Sequence, residues 1–294
     1  MRRLFALEFA RLSKQTSAYV IFILIFILGA FNVFLAHVTV IHGEGGVAIR
    51  TFTARSLLES SFQLGQFQIL LIGVLSSLFI ATDISQGTIR NKIIAGYAKA
   101  EIYIVQIMMS VFIAIFGLFL YQILPFAFSW LITFPITQDD QGSLWNFLIL
   151  MGFGYTLVIL GVVLTSWIAL KAKNTAGAII FTILIFALGP TLITIIKSIV
   201  EGVLLINIDQ YENLALYEQT QKDITSVFEW IYFYQIQRLN GPVSLFDLIF
   251  LDRGINFFHP DNQSYIWKMM GTSMVSFALL IGVGARGFSK SDLR

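Results

Sequence analysis

The sequence predicts an all-α polytopic membrane protein, and three observations lead to this fold class. Six apolar stretches contain no Lys, Arg, Asp or Glu, and each reaches the roughly 17 to 25 helical residues that cross a hydrocarbon core. Hydrophobic residues make up 57% of the chain and charged residues only 12%, so a water-soluble fold could not bury its apolar surface. Backbone amides at membrane depth must be satisfied within their own segment, which requires helices.

The six predicted transmembrane helices are joined by connections of very different length. Their bounds are Ser17 to Val40, Phe62 to Ala81, Ile102 to Gln138, Gly142 to Leu170, Asn174 to Ile196 and Met269 to Ala285. The first stretch shows no small-residue cleavage site of the kind that ends a signal peptide, so we expect it to remain as an anchor.

The distribution of charge predicts that both termini are cytoplasmic. Basic residues gather before the first span and after the second, fourth and sixth spans, which is typical of loops retained inside. The connection from Glu201 to Asp261 carries nine carboxylates against three basic residues and is predicted to face outward. We therefore predict a multi-pass protein of the cell membrane. Its segments are an amphipathic helix at 1–16, five spans at 17–196, an outer helical segment at 197–267, the sixth span at 268–285 and a cytoplasmic tail at 286–294.

Several functional classes are disfavoured by what the sequence lacks. No Lys, Arg, Asp or Glu falls inside the six stretches, whereas ion-coupled transporters and proton pumps usually carry a charged residue at membrane depth. The histidines show no metal-binding spacing and no base stands near a nucleophile, so neither a metal site nor a catalytic residue is predicted. No Gly-Lys dipeptide occurs, so the chain has no phosphate-cradling loop of the P-loop kind, and any ATP-driven activity needs a partner.

The N-terminal segment predicts a basic amphipathic helix that lies along the inner leaflet. Its two sides consist of Phe5, Phe9 and Leu12 on the apolar face, and Arg3, Arg11 and Lys14 on the polar face. Such a helix is one of two candidate docking surfaces for a cytoplasmic partner.

The second candidate is the loop at 82–101, which is too long and too patterned for a simple turn. Gly87 and Gly96 bracket a short helix that Thr88 could cap. The apolar stripe of this helix consists of Ile89, Ile93 and Ile94. Its polar neighbours are Arg90, Asn91 and Lys92.

The outer segment is predicted to hold two short helices, because Ser226 to Glu229 and Ser244 to Asp247 both have the pattern of a capping box or a close variant. The first would carry aromatic residues at helical spacing, among them Trp230 and Tyr234. One interpretation is that these helices only cover the ends of the spans. The other is that Trp230 and Tyr234 form an outer gate that contacts leaving substrate.

The chain resembles the permease subunits of ATP-binding-cassette transporters of the type-2 exporter class. The resemblance rests on Asp83, on Gly87-Thr88-Ile89-Arg90-Asn91, on the run from Gly96 to Tyr103, and on the closing segment from Phe288 to Arg294. The amphipathic start, the six spans and the elaborated outer segment extend the similarity over the whole chain.

The resemblance implies a transport subunit that pairs with a second permease copy or homologue above two cytoplasmic ATPase subunits. ATP and Mg²⁺ would bind the ATPase, and this chain would bind no cofactor. The positions implied to couple ATP hydrolysis to transport are Asp83, Gly87, Thr88, Ile89, Arg90, Asn91, Lys92 and Gly96. An uncharged path favours an amphipathic or hydrophobic cargo, such as a peptide, a lipid-like molecule or a drug. A non-transporting membrane anchor or sensor and an unpartnered secondary carrier stay open as alternatives.

Overall fold

The structure is a computed structural model that describes residues 1–38, 41–43, 46–48, 65–132, 141–172, 174–205, 214–239 and 260–290. These residues form helices apart from one short antiparallel hairpin, in which Ile41 pairs with Ala48. The elements are α1 (Arg2–Leu12), α2 (Thr16–Val38), β1 (Ile41–Gly43), β2 (Gly46–Ala48), α3 (Gly65–Ser85), α4 (Thr88–Ile94), α5 (Lys99–Ile132), α6 (Gln141–Ala172), α7 (Thr175–Leu205), α8 (Leu214–Phe228), α9 (Tyr232–Leu239) and α10 (Pro260–Lys290).

Several of these helices are long and apolar enough to cross a membrane. Four qualify alone within the described residues, in α5, α6, α7 and α10. Two bent pairs qualify only when both members are taken together: α1 with α2, which meet at 72°, and α3 with α4, which meet at 61°. The protein is therefore a membrane-embedded helical bundle with four to six candidate spans.

Helix α3 is the centre of the bundle and packs against α2, α5, α6 and α7. Its fully buried side chains include Ile69, Ile72, Leu75 and Phe79. Helix α2 packs mainly on α5, where Gly29 brings the two backbones very close together. Small residues at such crossings allow the close approach that drives helix association in lipid.

Buried hydroxyl groups link the central helices. Ser166 on α6 donates to Ser110 on α5 at 2.7 Å, and its oxygen lies 2.8 Å from Ser76 on α3. Ser77 and Thr182 approach to 2.8 Å between α3 and α7. Each such bond contributes about 1 kcal/mol or less in a membrane, so these groups act as interhelical packing contacts.

The apolar stretches locate the helices well but misplace some ends. The second predicted span ends at Ala81, whereas α3 continues to Ser85 and includes Asp83. The last predicted span begins at Met269, whereas α10 begins at Pro260 and includes Lys268. In both cases the helix includes a charged side chain that lies beyond the apolar stretch and has an ion-pair partner elsewhere in the protein.

The capping box predicted at Ser226 to Glu229 is wrong. Ser226 lies in the last turn of α8, the chain turns at Glu229 to Ile231, and α9 begins at Tyr232. Lys268 of α10 explains the pattern, because its Nζ donates to Ser226 Oγ at 2.5 Å and to Glu229 Oε2 at 3.1 Å. The second predicted capping box, the breaker at 240–242 and the tail at 291–294 lie outside the described residues.

Candidate functional site

Helix α4 is a single short helix set between two glycines that adopt positive φ angles. Gly87 precedes it with φ 70° and Gly96 follows it with φ 91°, a backbone region that other residues enter only at a cost. The prediction that these glycines bracket a helix is confirmed by its bounds, Thr88 to Ile94. The capping prediction is wrong, because Gly87 is the N-cap residue and no side chain caps the helix.

The two sides of α4 have opposite character. Ile89 is 3% exposed and Lys92 is 9% exposed, so this side faces the bundle. Arg90, Asn91 and Ile94 lie on the other side and are exposed, Ile94 to 75%. The exposed side of α4 therefore presents one large aliphatic side chain beside a cation and an amide.

Asp83 is the centre of a buried set of polar contacts beneath α4. It has no exposed surface, and its carboxylate forms ion pairs with Arg11 of α1 and Lys92 of α4. Gln106 of α5 donates its Nε2 hydrogen to the same carboxylate at 2.5 Å. The Thr88 hydroxyl lies 2.7 Å from the main-chain oxygen of Asp83 and also contacts its carboxylate. Four helices thus meet at one carboxyl group.

Glu8 of α1 completes the set, and we call Glu8, Arg11, Asp83 and Lys92 the ion cluster. Glu8 is 1% exposed, pairs with Lys92, and places Oε2 3.1 Å from Arg11 Nη2. That contact is electrostatic, because its geometry does not qualify as a hydrogen bond. The Arg11 guanidinium also donates to the main-chain oxygen of Phe79 at 3.3 Å and lies 3.9 Å from the centre of its ring.

The ion cluster is electrically balanced, with two carboxylates and two cations. Moving a charge out of water costs several kcal/mol, and this cost is offset only where the charge is paired and hydrogen-bonded in good geometry. The ion pairs join α1, α3 and α4, and the hydrogen bond from Gln106 adds α5. The ion cluster therefore has a structural role, because it holds α4 on α1, α3 and α5.

Comparison with known proteins gives no family for this chain. No protein-family model matches it, and no curated protein matches it significantly. The site must therefore be interpreted from its own residues. Among the residues that the structure describes, no group of three or more His, Cys, Asp or Glu side chains could hold a metal ion.

The structure brings together only part of the predicted site residues. Asp83, Thr88 and Lys92 meet in the buried contacts, whereas Arg90 and Asn91 point away from them. The predicted division of α1 also differs in the structure. Arg11 turns inward to the ion cluster, and Phe9, predicted on the apolar face, is 44% exposed beside the ring of Phe112.

The other residues predicted on the two faces of the interfacial helix also differ in exposure. Leu12 is buried, Phe5 is half-buried, and Arg3 and Lys14 are exposed. The side that packs on the bundle therefore consists of residues four apart, Leu4, Glu8 and Leu12.

Sequence reasoning missed Glu8 and undervalued Gln106. Glu8 lies four residues from both Leu4 and Leu12, so a carboxylate shares the face of two leucines, and that spacing was the available signal. Gln106 is an uncharged polar residue within the third predicted span. Its Oε1 has no hydrogen-bond partner within the described part of the chain, so its amide is oriented by Asp83 alone.

The two residues predicted to form an outer gate lie in different surroundings. Trp230 is in the turn between α8 and α9 and is 53% exposed. Tyr234 is 7% exposed, packs on the ring of Phe228, and has Lys197 Nζ 5.3 Å from its ring centre. Trp230 lies in the turn at 229–231 and Tyr234 lies on α9, and their role as a gate stays a prediction.

Proposed function

We propose that this chain is the membrane-spanning permease subunit of an ATP-driven exporter, in which α4 is the docking helix for a cytoplasmic ATPase. The observation that supports this function is the combination found at α4. Its exposed side presents Arg90, Asn91 and Ile94, and its buried side is joined to the bundle by Lys92. A helix that is rigidly held and exposed on one side can transmit a push from a partner to the spans.

The proposal includes six spans with both termini and α4 on the cytoplasmic side. The bent pairs α1 with α2 and α3 with α4 would each contribute one span and one segment at the inner surface. Charge supports this orientation, because Arg2, Arg3, Lys14, Arg90 and Lys290 lie at the ends that would face inward.

The translocation path would form between this permease and a second copy or homologue. ATP and Mg²⁺ would bind the separate ATPase subunits, whose closure would drive alternating access. Many large aliphatic and aromatic side chains of α7 and α10 are exposed in the single chain, including Ile180, Phe181, Leu192, Leu279 and Val283. The absence of Lys, Arg, Asp and Glu from the six apolar stretches supports an amphipathic or hydrophobic cargo in preference to a small ion.

Purification from the native membrane in a mild detergent tests the proposal. We expect a cytoplasmic ATPase to accompany the chain in stoichiometric amount, and its hydrolysis to rise when cargo is added. Reproducible absence of an ATPase from an otherwise intact preparation would favour an unpartnered secondary carrier. An ATPase whose hydrolysis no cargo stimulates would favour a non-transporting anchor or sensor.

The exposed side of α4 gives a prediction about coupling. The double variant Arg90→Ala/Asn91→Ala should lower the ratio of transport to ATP hydrolysis roughly fivefold or more, because it removes contacts with the ATPase but none in the ion cluster. Transport and hydrolysis are measured in parallel in reconstituted vesicles. Replacing Gly87 by a bulky residue should act in the same direction, since its φ of 70° disfavours any side chain.

The matched control removes two exposed cations from a different helix end, in Arg286→Ala/Lys290→Ala. We expect this control to retain the ratio of the unmodified protein. A well-expressed Arg90→Ala/Asn91→Ala variant with an unchanged ratio would show that α4 does not couple the two activities.

A further inference from the structure

Helix α9 links two helices that hardly touch each other. Within the described part of the chain, α7 and α10 make at most slight mutual contact, whereas α9 packs on both of them and also reaches α3 and α6. The turn that leads into α9 is tied to α10. There Lys268 Nζ lies 3.1 Å from Glu229 Oε2, and the Trp230 ring lies against Gly271.

The first two residues of α9 each fit against a glycine of another helix. The Tyr232 hydroxyl donates to the main-chain oxygen of Leu157 at 3.0 Å and occupies the space that a Cβ on Gly161 of α6 would fill. A Cβ on Gly189 of α7 would lie 2.8 Å from two ring carbons of Phe233. We call Gly161 and Gly189 the sockets, because only a residue without a side chain leaves room for the two rings.

The sockets lie deep in the bundle. Gly161 is eleven residues before the end of α6, and Gly189 is fourteen residues after the start of α7, so they lie about 16–21 Å along these helices from the connection at 173–174. A hydrocarbon core is about 30 Å thick, which places both sockets near its middle. Behind Gly161 lie Ile69 of α3 and Phe186 of α7, which have no exposed surface. In this position α9 therefore covers the apolar centre of the bundle.

One buried group of α9 opposes this position. Gln235 has no exposed surface, and its Nε2 donates to the main-chain oxygen of Glu229 at 2.7 Å. Its Oε1 meets no donor among the residues that the structure describes. A buried acceptor without a donor carries its full desolvation cost, and contact with water removes that cost. Burial of the two rings thus favours the observed position of α9, whereas the Gln235 amide favours a position nearer to water.

We propose that α9 is a displaceable plug. In the closed position Tyr232 and Phe233 occupy the sockets, and in the open position α9 moves away from α6 and α7 and admits water to Ile69. The plug goes beyond the proposed transport activity, since it is a conformational change of this chain and requires no ATP. It also differs from the predicted outer gate, because Trp230 and Tyr234 make none of the contacts with the sockets.

Cysteine labelling tests the plug, since the chain has no cysteine of its own. The first reporter is Ile69→Cys, behind a socket, and the second is Ala169→Cys, a buried position eight residues after Gly161 on α6. A charged maleimide is added to the full chain, with any subunits that accompany it, in lipid nanodiscs. In Gly161→Ala/Gly189→Ala we expect Ile69→Cys to react roughly tenfold faster, because overpacking at the sockets shifts α9 to the open position. Ala169→Cys should keep its rate.

The matched control is Gly152→Ala/Gly202→Ala. It makes the same two changes on α6 and α7, where no atom lies within 4 Å of the added Cβ. We expect this control to leave the labelling of both reporters unchanged. An equal acceleration of Ile69→Cys in the control and in Gly161→Ala/Gly189→Ala would overturn the plug.

A second pair of variants removes rings and leaves the sockets as they are. Tyr232→Ala/Phe233→Ala should accelerate the labelling of Ile69→Cys, whereas Trp230→Ala/Tyr234→Ala should not. A larger acceleration in Trp230→Ala/Tyr234→Ala would assign the closure to the predicted gate and overturn the plug. Unchanged labelling in Tyr232→Ala/Phe233→Ala, or an equal rise at both reporters in that variant, would overturn it as well.

Discussion

Asp83→Ala is expected to destabilise the protein by about 3–5 kcal/mol, the usual cost of removing one partner of a buried ion pair. The carboxylate has no exposed surface and accepts from Arg11, Lys92 and Gln106. Without it, the ion cluster keeps two cations and only the Glu8 carboxylate, so one positive charge is left uncompensated in the interior. Thermal unfolding in detergent and the yield of folded protein measure the loss.

Two further variants separate the charge effect from a general loss of folding. Glu218→Ala removes an exposed carboxylate of α8 and should change the free energy of unfolding by less than about 1 kcal/mol. Asp83→Ala/Lys92→Met restores the charge balance, with Glu8 facing Arg11, and should be more stable than Asp83→Ala alone. A double variant that is less stable than the single one would show that the charges do not interact as described.

Gly29→Ala is expected to destabilise the packing of α2 on α5 by about 3 kcal/mol, the upper range for overpacking. A Cβ at this position would lie 2.3 Å from the main-chain oxygen of Tyr121 and 3.1 Å from its carbonyl carbon. Backbone atoms cannot rotate away as a side chain can, so the two helices must separate. The separation should appear as a lower unfolding temperature in detergent.

Gly282→Ala is the matched control, because it makes the same change in the middle of α10 where no atom lies within 4 Å of the added Cβ. Alanine has the higher helix propensity, so this variant should be neutral or more stable by up to about 1 kcal/mol. If Gly29→Ala and Gly282→Ala behave alike, the helices α2 and α5 do not approach each other as closely as described.

The apolar stretches predicted most of the helical fold because hydrocarbon length and backbone hydrogen bonding constrain a membrane helix more strongly than any single side chain does. The glycine pair at 87 and 96 likewise located α4, since positive φ angles leave a signal in the sequence. Helix ends at Ser85 and Pro260 were missed because an apolar stretch stops at a charged residue, whereas α3 includes Asp83 and α10 includes Lys268, each with an ion-pair partner elsewhere in the protein.

The candidate site was predictable only on the side that faces outward. Arg90 and Asn91 belong to a local pattern, whereas the partners of Asp83 come from α1 and α5, far away in the chain. Arg11 shows why the inner contacts could not be predicted. A helical wheel assigns Arg11 to the polar face, but its guanidinium pairs with the Asp83 carboxylate inside the protein. A helical wheel represents a single helix, so it cannot show which groups of neighbouring helices contact its residues.

The ion cluster also constrains the order in which the helices dock after synthesis. Asp83, Lys92 and Gln106 leave the ribosome roughly 70 to 100 residues after Glu8 and Arg11, an interval of about 4–20 s at elongation rates of about 5–20 residues per second. Until then the charges of the first helix must stay in water, so it cannot take its final place against α3 during its own insertion. The first helix can therefore dock in its final position only after α3 and α4, which supply Asp83 and Lys92, have been made.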